Sequence, residues 1–230
     1  MPVPPPARRI LVAVVAAALS LITACGGGDV SDGRAALPSG AELVARCADA
    51  MRAVRSAAFS METEGTSPLP VKKAAGRLSG TGDAKWTIQI DLMGTLQEIS
   101  FVLIGDTVHF KGATGGFQRM SRSQLASIYD PSAILDPGRG VVRLLSTAQN
   151  PETEATERVD GADAYRLSAT FSQQVLAAMV PGLKQSVDGR LWIDRATGRL
   201  IRADLPMTGG GVTVALHDYD VPARITAPAE

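Results

Sequence analysis

The sequence predicts an α+β domain built on one curved antiparallel sheet of many strands, with a few helices over one face. Three observations support this prediction. Successive segments from Ala58 onward alternate apolar and polar side chains, which is the period of a half-buried strand. Turn signals such as Gly105-Asp106 separate these segments closely, as in an antiparallel meander. The apolar positions fall on one parity of each segment, so one face of the sheet needs cover.

The composition limits the class of protein. The 230 residues carry 23 basic and 23 acidic side chains and are 45% hydrophobic, which excludes a disordered acidic chain and a polybasic nucleic-acid binder. Two cysteines exclude a disulfide-dense scaffold and a four-cysteine zinc site. The sequence has no nucleotide-binding or hydrolase motif and only two histidines, His109 and His217. We therefore expect a binding protein without cofactor or metal, and not an enzyme.

The first segment predicts export and lipid attachment. Arg8 and Arg9 precede an apolar run at residues 10–22, which has the length of a signal-peptide core and is too short to span a membrane as a helix. Thr23 and Ala24 then place small side chains just before Cys25, which forms a lipobox whose cysteine becomes acylated. The alternative is an ordinary secretory peptide with a chance cysteine.

This interpretation divides the chain into three parts. We expect a lipoprotein signal peptide at residues 1–24, a flexible Gly- and Ser-rich tether at 25–40 and a single domain at 41–230. Each buried methylene of an acyl chain on Cys25 would add about 0.8 kcal/mol of membrane affinity, so a diacyl anchor would hold firmly.

Ser39 is placed to cap the first helix of the domain, with Glu42 three residues on as its reciprocal partner. Apolar residues then recur at helical spacing as far as Val54, which predicts a helix that ends near residue 56. Cys47 belongs to this apolar set. With no base predicted beside it, we expect its thiol to pack as a small hydrophobe.

Strand periodicity dominates the part of the chain that follows. In residues 86–92 every second side chain is apolar, which predicts the clearest half-buried strand. Short turn signals separate it from its neighbours. The strands expected here span residues 58–64, 74–81, 85–92, 96–104, 107–111 and 117–120.

The middle of the chain breaks this pattern. Asp130 and Asp136 each precede a proline, a sequence that favours the start of a helix with proline at its first position. We expect short helices at residues 131–135 and 140–148. An acidic run that follows is interpreted as a solvated loop: Glu152, Glu154 and Glu157.

Strand character resumes near residue 156. Ser172 is placed to cap one further helix, which Pro181-Gly182 would end. The remaining elements are expected as strands at residues 156–159, 164–170, 188–194, 200–205 and 211–219, with the helix at 172–180.

One stretch of the middle region resembles a known family. The pattern consists of Tyr129-Asp130-Pro131, then Leu135-Asp136-Pro137, then Gly140. Residues 191–200 and the ending at 218–228 agree with the same family. On these blocks the chain resembles the mycobacterial LppX/LprA/LprF/LprG lipoproteins, and their LprG-like members most closely.

The resemblance implies a strongly curved half-barrel with helices over its concave side and an apolar cavity between them. It implies a carrier that binds acylated lipids or glycolipids, of triacylglycerol or phosphatidylinositol-mannoside type, and assists their transfer across the cell envelope. It places the protein on the extracytoplasmic face of the cell membrane, held by its lipid anchor. The partner it implies is a major-facilitator efflux transporter.

The candidate lining of such a cavity consists of apolar residues on the inner parity of the strands and on the helix faces. An acyl chain needs apolar contact and no hydrogen bonds. Periodicity does not distinguish a cavity wall from a filled core. Ile88 is the first choice because the resemblance places its strand near the entrance. The candidates are Trp86, Ile88, Ile90, Leu92, Ile99, Phe101, Leu103, Val108, Phe110, Val141, Leu144, Leu145, Val175 and Met179.

Two alternatives stay open. One is a structural or adhesive envelope lipoprotein whose sheet packs a closed core, which the volume of the cavity would distinguish. The other, less favoured, is an envelope hydrolase. It requires a nucleophile and a base that converge in a cleft, so a fold that separates His109 from His217 counts against it.

Overall fold

The computed structural model describes residues 36–65, 71–92, 94–126, 131–177, 179, 183–222 and 224–229. Cys25 and the rest of the lipobox lie outside the described residues, as do Tyr129 and Asp130 of the family pattern. Residues Leu37–Glu230 form one compact unit. Among the described residues, no helix is both long enough and apolar enough to cross a membrane.

The described part of the chain forms one sheet of eleven antiparallel strands with a few helices. The helices are α1 (Gly40–Arg52), α2 (Arg122–Ala126), a 3₁₀ helix (Pro131–Leu135), α3 (Val141–Ser146) and α4 (Gln173–Ala177). The strands are β1 (Ser56–Gly65), β2 (Val71–Ser79), β3 (Ala84–Leu92), β4 (Thr95–Ile104), β5 (Thr107–Lys111), β6 (Gln118–Ser121), β7 (Gln149–Val159), β8 (Ala162–Phe171), β9 (Val187–Asp194), β10 (Leu200–Met207) and β11 (Gly210–His217).

The strand order is β6-β5-β4-β3-β2-β1-β11-β10-β9-β8-β7. Two meanders are joined where β1 pairs with β11, from Ala58 opposite His217 to Gly65 opposite Gly210. The sheet is curved and does not close, so β6 and β7 form its two edges. The connection between them must cross the sheet, and its 3₁₀ helix and α3 pack on the face that carries the buried side chains, here called the inner face.

The first helix follows directly from its sequence. The hydroxyl of Ser39 accepts a hydrogen bond from the Glu42 amide at 3.2 Å, which satisfies one of the free donors at the start of α1. Its apolar face buries Leu43, Cys47 and Met51 against the sheet core. The cap and this apolar face confirm the predicted helix, although it ends at Arg52 and β1 begins at Ser56.

The acidic run in the middle of the chain is not a loop, and this prediction was wrong. Residues 149–159 form β7, an edge strand paired with β8. Two register shifts interrupt the ladder, and an edge strand tolerates Pro151 because one side of its backbone needs no ladder partner. Glu154 and Glu157 are held by arginines from the neighbouring strands, so their charges do not require a loop.

The α+β class, the antiparallel sheet and the helices on one face are confirmed. The helix α2 carries no strong capping or periodic signal and was not predicted. The other differences are shifts of a few residues at element ends, where hydrogen bonds fray.

Candidate functional site

An apolar cavity of about 60 Å³ lies between the inner face of the sheet and the helices above it. Its floor comes from β1, β10 and β11, and its roof from the 3₁₀ helix and α3. Every side chain that lines it is apolar: Phe59, Met61, Ile134, Val141, Leu144, Met179, Leu200, Ala203, Leu205, Val214 and Leu216. A water inside would find no side-chain hydrogen-bond partner, so the cavity fits a hydrocarbon.

Strand register builds the floor. Phe59 lies opposite Leu216 and Met61 opposite Val214, and Val214 in turn lies opposite Ala203. Because side chains alternate between the two faces of a strand, these residues share the inner face. The first and last strands of the sequence thus supply one continuous apolar surface.

The roof depends on the turn that joins the 3₁₀ helix to α3. The backbone amide of Gly140 donates to the carbonyl of Asp136 at 2.8 Å, and Leu144 N–H donates to the Gly140 carbonyl at 3.0 Å as α3 begins. A Cβ at Gly140 would overlap the carbonyl oxygens of Ile134 and Ala133, so only glycine fits this close approach. The family pattern ending at Gly140 therefore has a structural reason.

The side chain of Asp136 closes the same turn. Its Oδ1 accepts from the Gly138 amide at 2.8 Å, and its Oδ2 accepts from Arg139. Partial burial raises the pKa of Asp136, but the hydrogen bonds from Gly138 and Arg139 and the charge of Arg139 outweigh burial and hold that pKa below its usual value. The carboxylate is thus charged and fully engaged in positioning the roof.

A second apolar region covers the inner face of β3, β4 and β5. The rings of Trp86 and Phe101 stack with centroids 4.9 Å apart, and Phe110 follows Phe101 at 6.4 Å. Ile88, opposite Ile99, is partly buried and packs on the same core. This region continues the floor of the cavity toward the edge at β6.

The residues proposed from the sequence as cavity lining fall into three groups. Those that line the cavity are Val141, Leu144 and Met179. Those buried in the adjoining core are Trp86, Leu103, Val108, Leu145 and Val175. Those with partly or largely exposed side chains on the inner side of β3, β4 and β5 are Ile88, Ile90, Leu92, Ile99, Phe101 and Phe110.

Sequence reasoning missed most of the floor. The period-two signals at Phe59 and Met61 and around Val214 were visible. Pairing between β1 and β11 brings them together over about 150 residues of chain, and periodicity carries no information on such pairing. Ile134, in the 3₁₀ helix, gave no periodic signal because the element is too short.

The outer face of the sheet is chemically different. A groove of about 670 Å³ there is lined mainly by polar and charged side chains. Arg166 pairs with Glu154 at 2.8 Å and with Glu157 at 3.0 Å, and the indole N–H of Trp192 donates to Glu157. Partial burial raises the pKa of Glu154, but Arg166 and Arg190 outweigh it and lower that pKa overall. Glu154 and Glu157 are thus paired with arginine and indole donors from β8 and β9.

The titratable groups do not assemble a catalytic centre in the described part of the chain. His109 lies on β5 and His217 on β11, with four strands between them. Cys47 is fully buried, and burial raises the pKa of its thiol to about 12. The Tyr219 hydroxyl donates to the Leu200 carbonyl, and burial raises its pKa as well. Among the described residues, no cluster of side chains could hold a metal ion.

Fold and cavity together define an open antiparallel half-barrel with an apolar cavity on its concave side. Residues 39–225 match the LppX/LprAFG lipoprotein family. The chain belongs to this family, as its sequence pattern predicted.

Comparisons with individual proteins agree with this family assignment. The chain is 29% identical to the lipoarabinomannan carrier protein LprG of Mycolicibacterium smegmatis, over 97% of each chain. It is 28% identical to the protein of the same name from Mycobacterium tuberculosis, over 96% of this chain and 95% of that one. Its fold matches the crystal structure of LprF from Mycobacterium bovis with a TM-score of 0.74 at 21% identity, over 83% of this chain and 97% of that one. LppX of Mycobacterium tuberculosis matches with a TM-score of 0.62 at 20% identity, over 81% and 97% of the two chains.

Proposed function

We propose that this protein is a membrane-anchored carrier that holds the acyl part of a lipid or glycolipid in its concave cavity and assists its transfer across the cell envelope. The observation that carries the proposal is the lining of the cavity, which consists of apolar side chains alone. Such a surface recognises a hydrocarbon chain and leaves a polar headgroup outside.

The energetics suit a carrier. A sixteen-carbon chain gains on the order of 12 kcal/mol on leaving water, at about 0.8 kcal/mol per methylene. It gains a similar amount in a bilayer, so exchange between membrane and cavity is nearly neutral. Neither a cofactor nor a covalent step is needed, and the cost is confined to the moments when the chain is exposed to water.

The names of two relatives support a class of ligand. Their name assigns lipoarabinomannan to them, which supports an acylated glycolipid for this chain, of phosphatidylinositol-mannoside type, with triacylglycerol as the simpler case. Acylation of Cys25 would hold the carrier on the extracytoplasmic face of the membrane. We propose a major-facilitator efflux transporter as the partner in this transfer.

The path of the acyl chain includes both apolar regions of the inner face. The cavity beneath Ile134 and Val141 would take the end of the chain, and the surface around Ile88 and Phe101 would cover the rest. The cavity of about 60 Å³ is smaller than a whole acyl chain. Loading therefore requires the 3₁₀ helix and α3 to move away from the floor.

Native mass spectrometry with lipid extraction tests the proposal. The full chain, processed and purified from an actinobacterial host, should carry a co-purified acylated lipid. Ala203→Phe would fill the cavity from its floor and should abolish this mass, and Ile88→Trp should reduce it. Ala215→Phe is the matched control, because Ala215 lies on the adjoining strand outside the cavity lining.

A closed-core structural lipoprotein is the second candidate, favoured by the small volume of the cavity. It predicts a mass without lipid that incubation with envelope lipids leaves unchanged. It also predicts that Ala203→Phe alters stability alone. Either result would contradict the carrier.

A further inference from the structure

The tip of the β3–β4 hairpin carries two of the most exposed large apolar side chains in the described part of the chain. Leu92 is 50% exposed and Leu96 is 61% exposed. Leu92 pairs with Thr95, and Leu96 pairs with Asp91. Since side chains alternate between the faces of a strand, the two leucines project from opposite faces of the hairpin.

Two described residues beside the turn, Asp91 and Gly94, are joined by a hydrogen bond. Gly94 adopts a φ of +82°, a conformation that favours glycine. Its amide donates to the Asp91 carboxylate at 2.7 Å, so this backbone donor is satisfied within the hairpin. The leucines are therefore presented on a preformed hairpin.

Two other exposed apolar residues lie at the same end of the sheet. Phe117 is exposed and lies in the β5–β6 connection. This connection follows Lys111, which pairs with Ser100 of β4, and β4 starts at the hairpin tip. On the other side of the sheet, Thr153 near the start of β7 donates to the Pro38 carbonyl at 2.7 Å. The chain thus enters the domain at the exposed Leu37, at the end where the hairpin tip also lies.

The two-sided exposure indicates what covers the tip. A protein groove would bury one face of a hairpin, whereas a bilayer surrounds both faces at once. Cys25, whose acylation we propose, lies 12 residues before Leu37 in the sequence. On the inner face, Leu92 is followed by Ile90 and Ile88, which lead toward the buried core.

We propose that the β3–β4 hairpin tip inserts into the lipid surface of the membrane and docks the inner face against it. This rests on the proposed function and adds the surface through which lipid would pass. Asp91 lies next to Leu92, and its polar side chain near the tip limits insertion to the boundary between headgroups and acyl chains.

A thiol label reports insertion directly. Leu96→Cys carries an environment-sensitive fluorophore, and Ala196→Cys, in the β9–β10 turn at the opposite end of the sheet, is the matched control. The native Cys47 is fully buried and does not compete, and the unsubstituted chain, labelled in parallel, measures any signal from Cys25. The processed full chain is reconstituted in phosphatidylcholine–phosphatidylglycerol vesicles with brominated acyl chains, which quench only a fluorophore within the bilayer.

Insertion predicts quenching at position 96 and none at position 196. Equal quenching at both, or none at 96, overturns the proposal. Fluorescence at position 96 that changes only when the vesicles contain envelope proteins also overturns the proposal. That result would assign the tip to a protein partner. The lipid co-purified with the same sample is measured separately. Quenching without bound lipid would contradict the carrier and leave docking intact, whereas bound lipid without quenching would do the reverse.

A second variant tests the consequence for transfer. Leu96→Thr keeps a strand-compatible side chain but removes most of the exposed apolar surface. It should slow lipid transfer from vesicles about fivefold, the loss expected when part of a leucine side chain no longer leaves water. Its melting temperature should not change, because Leu96 is largely exposed. An unchanged transfer rate would contradict the proposal.

Discussion

Arg139 donates two hydrogen bonds to one carboxylate oxygen of Asp136, from Nε at 3.1 Å and from Nη2 at 2.9 Å. The second oxygen of Asp136 accepts from the Gly138 amide. This small network fixes the turn from which α3 departs over the cavity. Its integrity therefore determines where Val141 and Leu144 stand in the roof.

Asp136→Asn should lower the free energy of unfolding by about 1 kcal/mol, because charge-assisted hydrogen bonds become neutral ones. The folded state lowers the pKa of Asp136 from 3.8, so the native protein binds fewer protons here than the unfolded chain. The stabilisation is therefore complete above pH 3.8 and is lost as pH falls through the lower, folded-state pKa.

Urea unfolding at several pH values measures this difference between wild type and variant. Asp106→Asn, in the β4–β5 turn, is the control and should leave stability nearly unchanged. A gap between wild type and Asp136→Asn that persists unchanged at the lowest pH would show that the charge plays no part.

Gly140→Ala should destabilise the fold by about 2 kcal/mol or more, since its methyl group would overlap two backbone carbonyls. Gly138→Ala, two residues earlier, adds a methyl group whose nearest neighbour is the Asp136 carboxylate at 3.4 Å, so its effect should be small. Thermal unfolding of the two variants gives the comparison. Similar melting temperatures for both would mean that the roof tolerates a shift of the turn.

Cys47 should resist thiol reagents in the native protein. Its pKa is raised by burial from 9.0 to about 12, which lowers the thiolate fraction near pH 8 about a thousandfold, in addition to the steric protection. Colorimetric titration should detect this thiol only after denaturation. The exposed thiol of Ala196→Cys should react at once under native conditions.

The same burial makes stability depend on pH at the alkaline end. Above pH 9.0 the unfolded chain loses the Cys47 proton while the folded chain keeps it, so the free energy of unfolding should fall as pH rises from 9.0 toward 12. Cys47→Ala should have a shallower decline than wild type over this range. Parallel declines would show that the thiol does not titrate in the unfolded chain as expected.

Arg166→Met should loosen the edge strand β7, because Arg166 bridges it to β8 through Glu154 and Glu157. Partly exposed ion pairs are individually weak, so a loss of about 1 kcal/mol in local stability is expected. Hydrogen exchange at the amides of residues 152–159 should quicken. Arg158→Met, whose guanidinium donates to the Gly161 carbonyl, should leave that exchange unchanged.

Local physics made much of this fold predictable. The capped helix at Ser39, the alternation around Ile88 and the turn at Gly105 each depend on neighbours within a few residues. Binary patterning alone also specified a sheet with one apolar face. The family pattern around Asp136 added the half-barrel, and the hydrogen bonds and close approach of that turn now explain its residues.

The floor of the cavity was not predictable in the same way. Met61 and Ala203 meet through Val214 only because β11 lies between β1 and β10. That order is a property of the whole chain. The edge strand β7 was missed for a related reason: its glutamates are compatible with a strand only once Arg166 and Arg190 are known to face them.

The open edges at β6 and β7 have a consequence for the range of cargo. In a closed barrel, strand number and shear together set the radius. A sheet with two free edges has no such constraint, because its curvature can relax by small twists spread over ten ladders without breaking any hydrogen bond. Under the proposed function, such a sheet would adjust its diameter to the bound lipid, so ligands with different numbers of acyl chains would share one set of contacts.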